Sequence, residues 1–528
     1  MRALNRALLK LSKRAEKYTN QQLVESFVDV GPLFTLLSNS DNQVIFGRRG
    51  TGKTHVLSYL NNHLVDNNIT SVKIDMRTIG STGGIYSDTD LSISERATRL
   101  LSDTLCAIHD GILELVIEDD KDIYDLSSMA SNLDRVAEQS TSIVIEGDIE
   151  HETGLGKKST FKIKESISSK IASTKLEISA GAESTDSSES NINQRKLRKG
   201  TEKLRIHFAS VYSEVDKLVS KLPSSELWIL IDEWSEVPLD LQPFLADLLR
   251  RTLYPVDGVT VKIAAIEQRC NFRRHNEVDG SYIGIEIGAD ASASLNLDEF
   301  MVFDNDEVKA KEFFGNLLFQ HVMSLDKEDS SPFNLSTKAR FINDVFTQQS
   351  AFEEFVRASE GVPRDAINII GLAAQKALDR QISIPITRDA ARIWYHRSKH
   401  KAVSDRSGAI SLLDWITNEV IGTRQAKGFL LPISVKDALI DHLFDNRVLH
   451  LLKTGVSAQL YPGKRYNVYC LDYGCYVDLL TTKNAPRGLL MSDSEDGEDT
   501  VKYIDVPKTD FRSIRNAILN LETFYETQ

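Results

Sequence analysis

Residues 41–60, DNQVIFGRRGTGKTHVLSYL, organise the reading of the whole chain. Val44, Ile45 and Phe46 form a short apolar run of the kind that makes a buried strand, and a helical pattern follows Thr54. Between them Gly47–Thr54 match G-x-x-x-x-G-K-[ST], so strand, glycine-rich loop and helix come in the order that a phosphate-cradling loop requires. Gly50 and Gly52 permit the tight turn that points backbone N–H groups at an anion, whose charge the start of the next helix also favours. Gly47, Arg48, Arg49, Gly50, Thr51, Gly52, Lys53 and Thr54 are therefore the candidate ATP contacts. Lys53 is expected on the β- and γ-phosphates. Thr54 is expected on Mg²⁺, which dehydrates reluctantly and takes few protein ligands beside phosphate and water.

Leu227–Asp232, LWILID, is a second continuous apolar run, and it ends in two carboxylates, Asp232 and Glu233. At a strand end beside the phosphate loop, Asp232 is suited to hold Mg²⁺ through water and Glu233 to orient or deprotonate an attacking water. An aspartate after an apolar strand is common; together with Gly47–Thr54 it reads as a Walker B element. LDLQPFLADLLRR then predicts a helix ending at Arg250 and Arg251, and Val259–Ile266 another buried strand. Glu267, Gln268 and Arg269 follow it, where a side chain could sense the γ-phosphate or simply form a charged loop; the spacing does not rank them.

With 528 residues the chain exceeds one compact core, so several domains are expected. A hydrophobic fraction of 41% suffices for globular packing, and a net charge of −13 argues against non-specific coating of nucleic acid. Cys106, Cys270, Cys470 and Cys475 form no C-x-x-C pair, which fits a reducing cytoplasm better than a zinc site or a disulfide framework. No apolar run approaches the ~20 residues that span a bilayer, so no membrane role is expected.

Residues 1–30 are read as an N-terminal helical arm, with Leu4, Leu8, Leu11 and Ala15 on one face among basic neighbours. Residues 31–303 form an α/β core whose second strand is Ser71–Met76, interrupted by an insertion at about 120–205 that is rich in Ser, Glu and Lys. In that insertion TFKIKES suggests hairpin strands, ESTDSSESN suggests disorder, and the basic cluster RKLRKGTEKLR, 195–205, is read as the solvated start of the next helix. Residues 304–403 are helical. Within them Gly361 and Pro363 open a helix with Arg364 in its first turn, where a bound anion is favoured over a salt bridge to Glu360 or Asp365. Residues 404–485 are read as a winged-helix domain with helices near Ala409–Ile421 and Val435–Leu452. YPGKRYNVYCLDYGCYVDLL is taken as two strands around a wing carrying Lys464, Arg465 and Tyr466, with Arg424 and Lys427 nearby. Residues 486–528 supply an acidic linker, MSDSEDGEDT, and a terminal helix in DFRSIRNAIL.

Taken together, GRRGTGKT, LWILIDEW, LLRR before VTVKIAAI, and GVPRDA before the C-terminal domain resemble the AAA+ ATPases of the origin-recognition-complex type, particularly bacterial relatives. The resemblance covers about 30–120 and 205–480. It implies a RecA-like AAA+ core with a helical lid and a C-terminal winged helix. It also implies ATP and Mg²⁺ as cofactors, Asp232 and Glu233 as the Walker B pair, Arg364 as the lid's sensor of ATP, and Arg250 or Arg251 as an arginine finger across a subunit interface. Glu267 and Gln268 depart from the family's usual Asn or Thr sensor, and the insertion is foreign to replication initiators. The expected function is an ATP-driven switch, possible as a homo-oligomer, that engages DNA through the winged helix or a protein partner through the insertion. A mobile-element or anti-phage defence setting follows by analogy with relatives carrying such inserts. The competing reading is a nucleotide-gated signalling scaffold of the STAND kind without DNA binding; it is disfavoured because no period of 20–50 residues marks an appended repeat sensor.

Overall fold

The computed structural model describes residues 1–11, 18–29, 31–79, 86, 88, 90–118, 123–141, 143–152, 159–161, 165–167, 195–204, 206–275, 280–298, 307–326, 337–423, 426, 428–457, 463–480 and 517–526. Five core strands, β1 (Gln43–Phe46), β2 (Thr70–Asp75), β3 (Leu227–Asp232), β4 (Val259–Ala265) and β5 (Ser292–Asn296), pair in the order β5-β1-β4-β3-β2. Every pairing is parallel. A parallel sheet needs helical crossovers that cover both faces, which is why Val44–Phe46 of β1 and Leu227–Ile231 of β3 read as unbroken apolar runs. Ile45, Leu230, Ala264 and Leu295 pack on one face with Val56, Leu57 and Leu60 of the helix Lys53–Asp66. Val44, Val72, Ile229, Ile231 and Ile263 pack on the other with the helices Ile93–Ile117, Phe208–Val219 and Gln242–Thr252. This is a RecA-like AAA+ core, in which the P-loop strand and the Walker B strand flank β4.

The helix Leu126–Ser140 belongs to the core, because Met129, Leu133 and Val136 are buried among the second face's residues. The insertion therefore begins after it rather than near residue 120. Ile143–Glu152 pairs antiparallel with Arg195–Leu204 along its whole length, and Ser159–Phe161 and Glu165–Ile167 also pair with it. The basic cluster expected to start a helix is thus a strand, set in register against an acidic one, Glu152 opposite Arg195 and Asp148 opposite Lys199. The polar run at 183–191 lies outside the described residues, as does the acidic linker 491–500.

The helices of 307–404 form a lid whose apolar core is continuous with the P-loop side of the sheet. The N-terminal helix Ala3–Lys10 buries Leu4, Ala7 and Leu8 in that same core, and Asn5 Nδ2 donates to the carbonyls of Leu378 (2.8 Å) and Arg380 (3.0 Å) at the end of a lid helix. Ala15 lies outside the described residues.

The C-terminal domain is a three-stranded antiparallel sheet, with Arg465–Leu471 between Gly428–Pro432 and Leu449–Ser457. Its elements differ from expectation in two places. The helix read over Val435–Leu452 is only Ala438–Asp445, since Leu449 onward is strand, and Tyr473–Leu480 is a helix and not the second strand of a wing. Tyr466 is buried at 2% exposure and unsuited to phosphate contact, whereas Lys464 and Arg465 are exposed; Arg424 and Lys427 lie outside the described residues. Of DFRSIRNAIL, 510–516 lie outside the described residues; Ile518 forms a strand-like bridge to Leu430, and the short helix Leu521–Glu526 follows.

Candidate functional site at the P-loop

All five strands end on one edge, and the crevice outside the carboxyl ends of such a sheet is where ligands bind. Gly50 and Gly52 hold left-handed backbone, φ 90° and 97°, so the loop turns as its glycines predict. At Gly50 the demand is also spatial, because a Cβ there would stand 2.8 Å from the Cβ of Arg364. Lys53 Nζ is buried and donates to the carbonyls of Gly47 (2.8 Å) and Arg48 (3.1 Å). Burial pulls its pKa down, against the opposing pull of Glu233, Asp298 and Asp232 and with Arg364 adding repulsion. Lys53, Asp232, Glu233 and Arg364 are thereby brought into one electrostatic neighbourhood.

Asp232 is 1% exposed; its Oδ1 accepts the Glu233 N–H at 2.9 Å, and its Oδ2 is buried with no hydrogen-bond partner. A buried carboxylate oxygen left unpaired is costly unless something else binds it, and a metal-bound water fits. One hydroxyl, Thr54, and one carboxylate, Asp232, with phosphate and water completing the shell, would suit Mg²⁺. Glu233 is a non-glycine residue at φ 55°, a strained conformation that sets it apart from the preceding strand. Its carboxyl pKa is raised, first by burial and then by Asp232, while Lys53 and Arg77 oppose the shift. A raised pKa makes a carboxylate a better proton acceptor near neutral pH.

The lid reaches the loop directly. The backbone N–H of Arg364, in the first turn of the helix Pro363–Ala377, donates to Gly50 O at 3.2 Å, and the neighbouring Asp365 pairs with Lys399 at 2.8 Å and Arg447 at 3.2 Å. Arg250 and Arg251 both pair with Asp247, at 2.9 and 2.7 Å, and Arg250 also lies over the Tyr282 ring. Arg49 pairs with Glu236 at 2.8 Å on the surface. Arg48 turns its side chain away from the loop interior, donating through its peptide N–H and Nε to Asp298 at 2.9 and 2.7 Å. Asp298 escaped the sequence reading; an acid just beyond an apolar strand in NLDEF was its only signal. Arg77, which follows β2 and bears on Glu233, gave none. At the end of β4, Glu267 and Gln268 line a cavity of about 440 Å³ together with Gly47, Asn296, Asp298, Phe444 and Lys453, while Arg269 pairs with Asp445 of the C-terminal domain.

Fold and site together define a P-loop ATPase-type module of AAA+ architecture. Residues 11–272 match the family described as ORC-CDC6-like, which supports an ORC/CDC6-type AAA+ assignment. No curated protein matches the chain. Among solved structures, the Orc1 protein of Aeropyrum pernix in complex with DNA aligns at 12% identity over 87% of this chain and 95% of that one, with a TM-score of 0.32. No helix among the described residues is long and apolar enough to cross a membrane.

Proposed function

We propose that this protein is a Mg²⁺-dependent ATP-hydrolysing switch whose nucleotide state controls its engagement of DNA or a protein partner. The observation that carries the reading is the convergence of Lys53, Asp232, Glu233 and the Arg364 helix start on one phosphate loop. Bound Mg²⁺ would supply charge neutralisation between the phosphates, held by Thr54 and, through water, by Asp232. Loop N–H groups and Lys53 bind the phosphates, Glu233 takes the proton of the attacking water, and Arg364 brings the lid onto the γ-phosphate. Engagement of DNA is supported by the ORC-CDC6-like match and by the C-terminal three-stranded sheet, which we read as part of a winged helix, with Lys464 and Arg465 exposed at the turn. The paired strands of the insertion are the candidate surface for a protein partner, and they suit a specialised cytoplasmic role such as mobile-element or anti-phage defence.

The test separates binding from chemistry. Lys53→Ala abolishes ATP binding in a filter or calorimetric assay, whereas Glu233→Gln binds ATP normally and lowers kcat by about 10²–10⁴-fold, the usual worth of a general base. Normal turnover in Glu233→Gln overturns the assignment. Arg250 or Arg251 acts as a finger only from a neighbouring subunit, leaving Asp247 to reach that subunit's γ-phosphate, an effect of ~10³-fold or more in related phosphoryl transfers. Inactive Lys53→Ala and Arg251→Ala proteins then recover activity when mixed; full activity of a monomer rules this out.

A further inference from the structure

The side chain of Arg48 fastens the phosphate loop to the C-terminal domain. Arg48 is 1% exposed, its Nη1 donates to Nδ1 of His450, and its guanidinium lies 5.3 Å from the Phe444 ring centre. His450 is fully buried, with Nε2 3.1 Å from Asp472 Oδ1. A carboxylate only accepts, so Nε2 carries the proton and Nδ1 is left as the acceptor that Arg48 requires. Asp472 is held in turn by Lys399, which also pairs with Asp365, and Asp365 accepts from Arg447 Nε at 3.2 Å. Since Asp365 adjoins Arg364 in the lid, the buried chain of polar contacts runs from loop to C-terminal domain to lid and returns to the loop at Gly50 O.

Arg48 is tied to the chemistry at its other end. Its carbonyl receives Lys53 Nζ at 3.1 Å, the Thr51 hydroxyl at 2.9 Å and the Thr51 N–H at 3.3 Å. Phosphate oxygens compete for the same ammonium, and drawing Lys53 onto them removes a charge-assisted hydrogen bond from the Arg48 peptide. The side chain is meanwhile fixed at Asp298 and His450, with Nη2 buried and unpartnered, so its seat is not fully satisfied. Close-packed contacts of this kind switch between discrete arrangements rather than stretch.

We propose that Arg48 is a positioning residue that couples phosphate binding to the seat of the C-terminal domain: Mg-ATP in the loop loosens the Arg48–His450 contact and frees the face bearing Phe444, Leu451 and Leu452 from the core. This rests on the nucleotide-binding reading above. Coupling is reciprocal, so a ligand that weakens docking binds more tightly wherever docking is already weakened.

The test uses the full chain, a fluorescent ATP analogue and deuterium exchange. His450→Gln keeps a donor at the Nε2 position for Asp472 and carries its acceptor, the amide oxygen, away from the Nδ1 position that Arg48 uses; Arg48→Lys keeps the charge and removes Nη1. Both variants bind the analogue at least ~5-fold more tightly than the parent, the low end of usual coupling between sites. In the parent, exchange across 438–457 rises on adding Mg-ATP; in His450→Gln it is already high and nucleotide leaves it unchanged. A parent that binds the analogue but shows the same exchange with and without it overturns the coupling and leaves the nucleotide site standing. Higher exchange with unaltered affinity in both variants marks a merely structural contact and also overturns it. A parent that binds no analogue overturns both readings together.

Discussion

The lid and the C-terminal domain both touch the phosphate loop, and they do so by different physics. On the lid side the link is a backbone hydrogen bond, Arg364 N–H to Gly50 O, backed by an apolar core that runs unbroken from the sheet through Phe314, Phe341 and Phe355. On the other side the links are charged or polar: Arg48 with His450 and, from the end of β4, Arg269 with Asp445. Apolar packing is non-directional and tolerates small shifts, whereas a buried polar contact holds only in narrow geometry and costs heavily once broken. The lid is thus built to stay attached while it tilts, and the C-terminal domain to be either seated or not.

The largest effect is expected where the two sides meet. Lys399 is 2% exposed between Asp365 of the lid and Asp472 of the C-terminal domain, so Lys399→Met leaves two buried carboxylates without their shared cation. Denaturant unfolding should show a loss of about 3–5 kcal/mol, the usual cost of breaking a buried pair; a loss under about 1 kcal/mol would mean that the domains do not depend on the network.

Acid should act on the seated side first. Burial, and then the Arg48 charge, push the His450 pKa from 6.5 down to about 4, partly offset by Asp472. The unfolded chain therefore binds a proton between those values that the folded chain refuses. The contribution is fully present above pH 6.5 and is lost as pH falls toward 4. His321, buried near Tyr18 and lowered to about 3, acts in the same direction from the core. The comparison is accordingly between parent and His450→Gln: stability of the parent should fall more steeply between pH 6.5 and 4, and parallel curves would remove His450 from the account.

A subtler change is expected from Arg364→Ala, which keeps the backbone bond to Gly50 but removes the side chain proposed to sense phosphate. Folding should be unaffected, while the ATP-dependent change in protease sensitivity of the lid disappears; an unchanged response would confine Arg364 to a structural part. Arg269→Ala is the smallest. Its side chain is 40% exposed, so losing the Asp445 pair should cost no more than about 1 kcal/mol in unfolding and fade further in salt.

How much of this was legible in the chain depends on range. Gly47–Thr54 and Leu227–Asp232 declared themselves because each carries its own strand, turn chemistry and polar end within a dozen residues. Leu126–Ser140 was passed over although Met129, Leu133 and Val136 fall on one helical face, because the polar stretch after it drew the whole interval into an insertion. Tyr473–Leu480 looks like a strand by its aromatic and β-branched content, and tertiary packing overrides that preference, burying Tyr473 and Val477 against the lid. The Arg48–Asp298–His450 contact had no local signature at all. Its members stand 250 and 402 positions apart, and a histidine in VLHLL reads simply as core.

The chain's closing residues do a different kind of work. Leu519 N–H donates to Leu430 O at 3.0 Å, Ile518 bridges to Leu430, and Ala517, Leu519, Leu521 and Phe524 are buried against the domain. Gly428–Pro432 is the outer strand of its sheet, and that bridge sits on its otherwise open side. An open strand of sequence GFLLP is a template for pairing with another molecule, so this segment works as a built-in guard against aggregation. Shortening the protein before residue 517, or crowding that segment with a fused tag, should show up as loss of soluble yield before any change in catalysis.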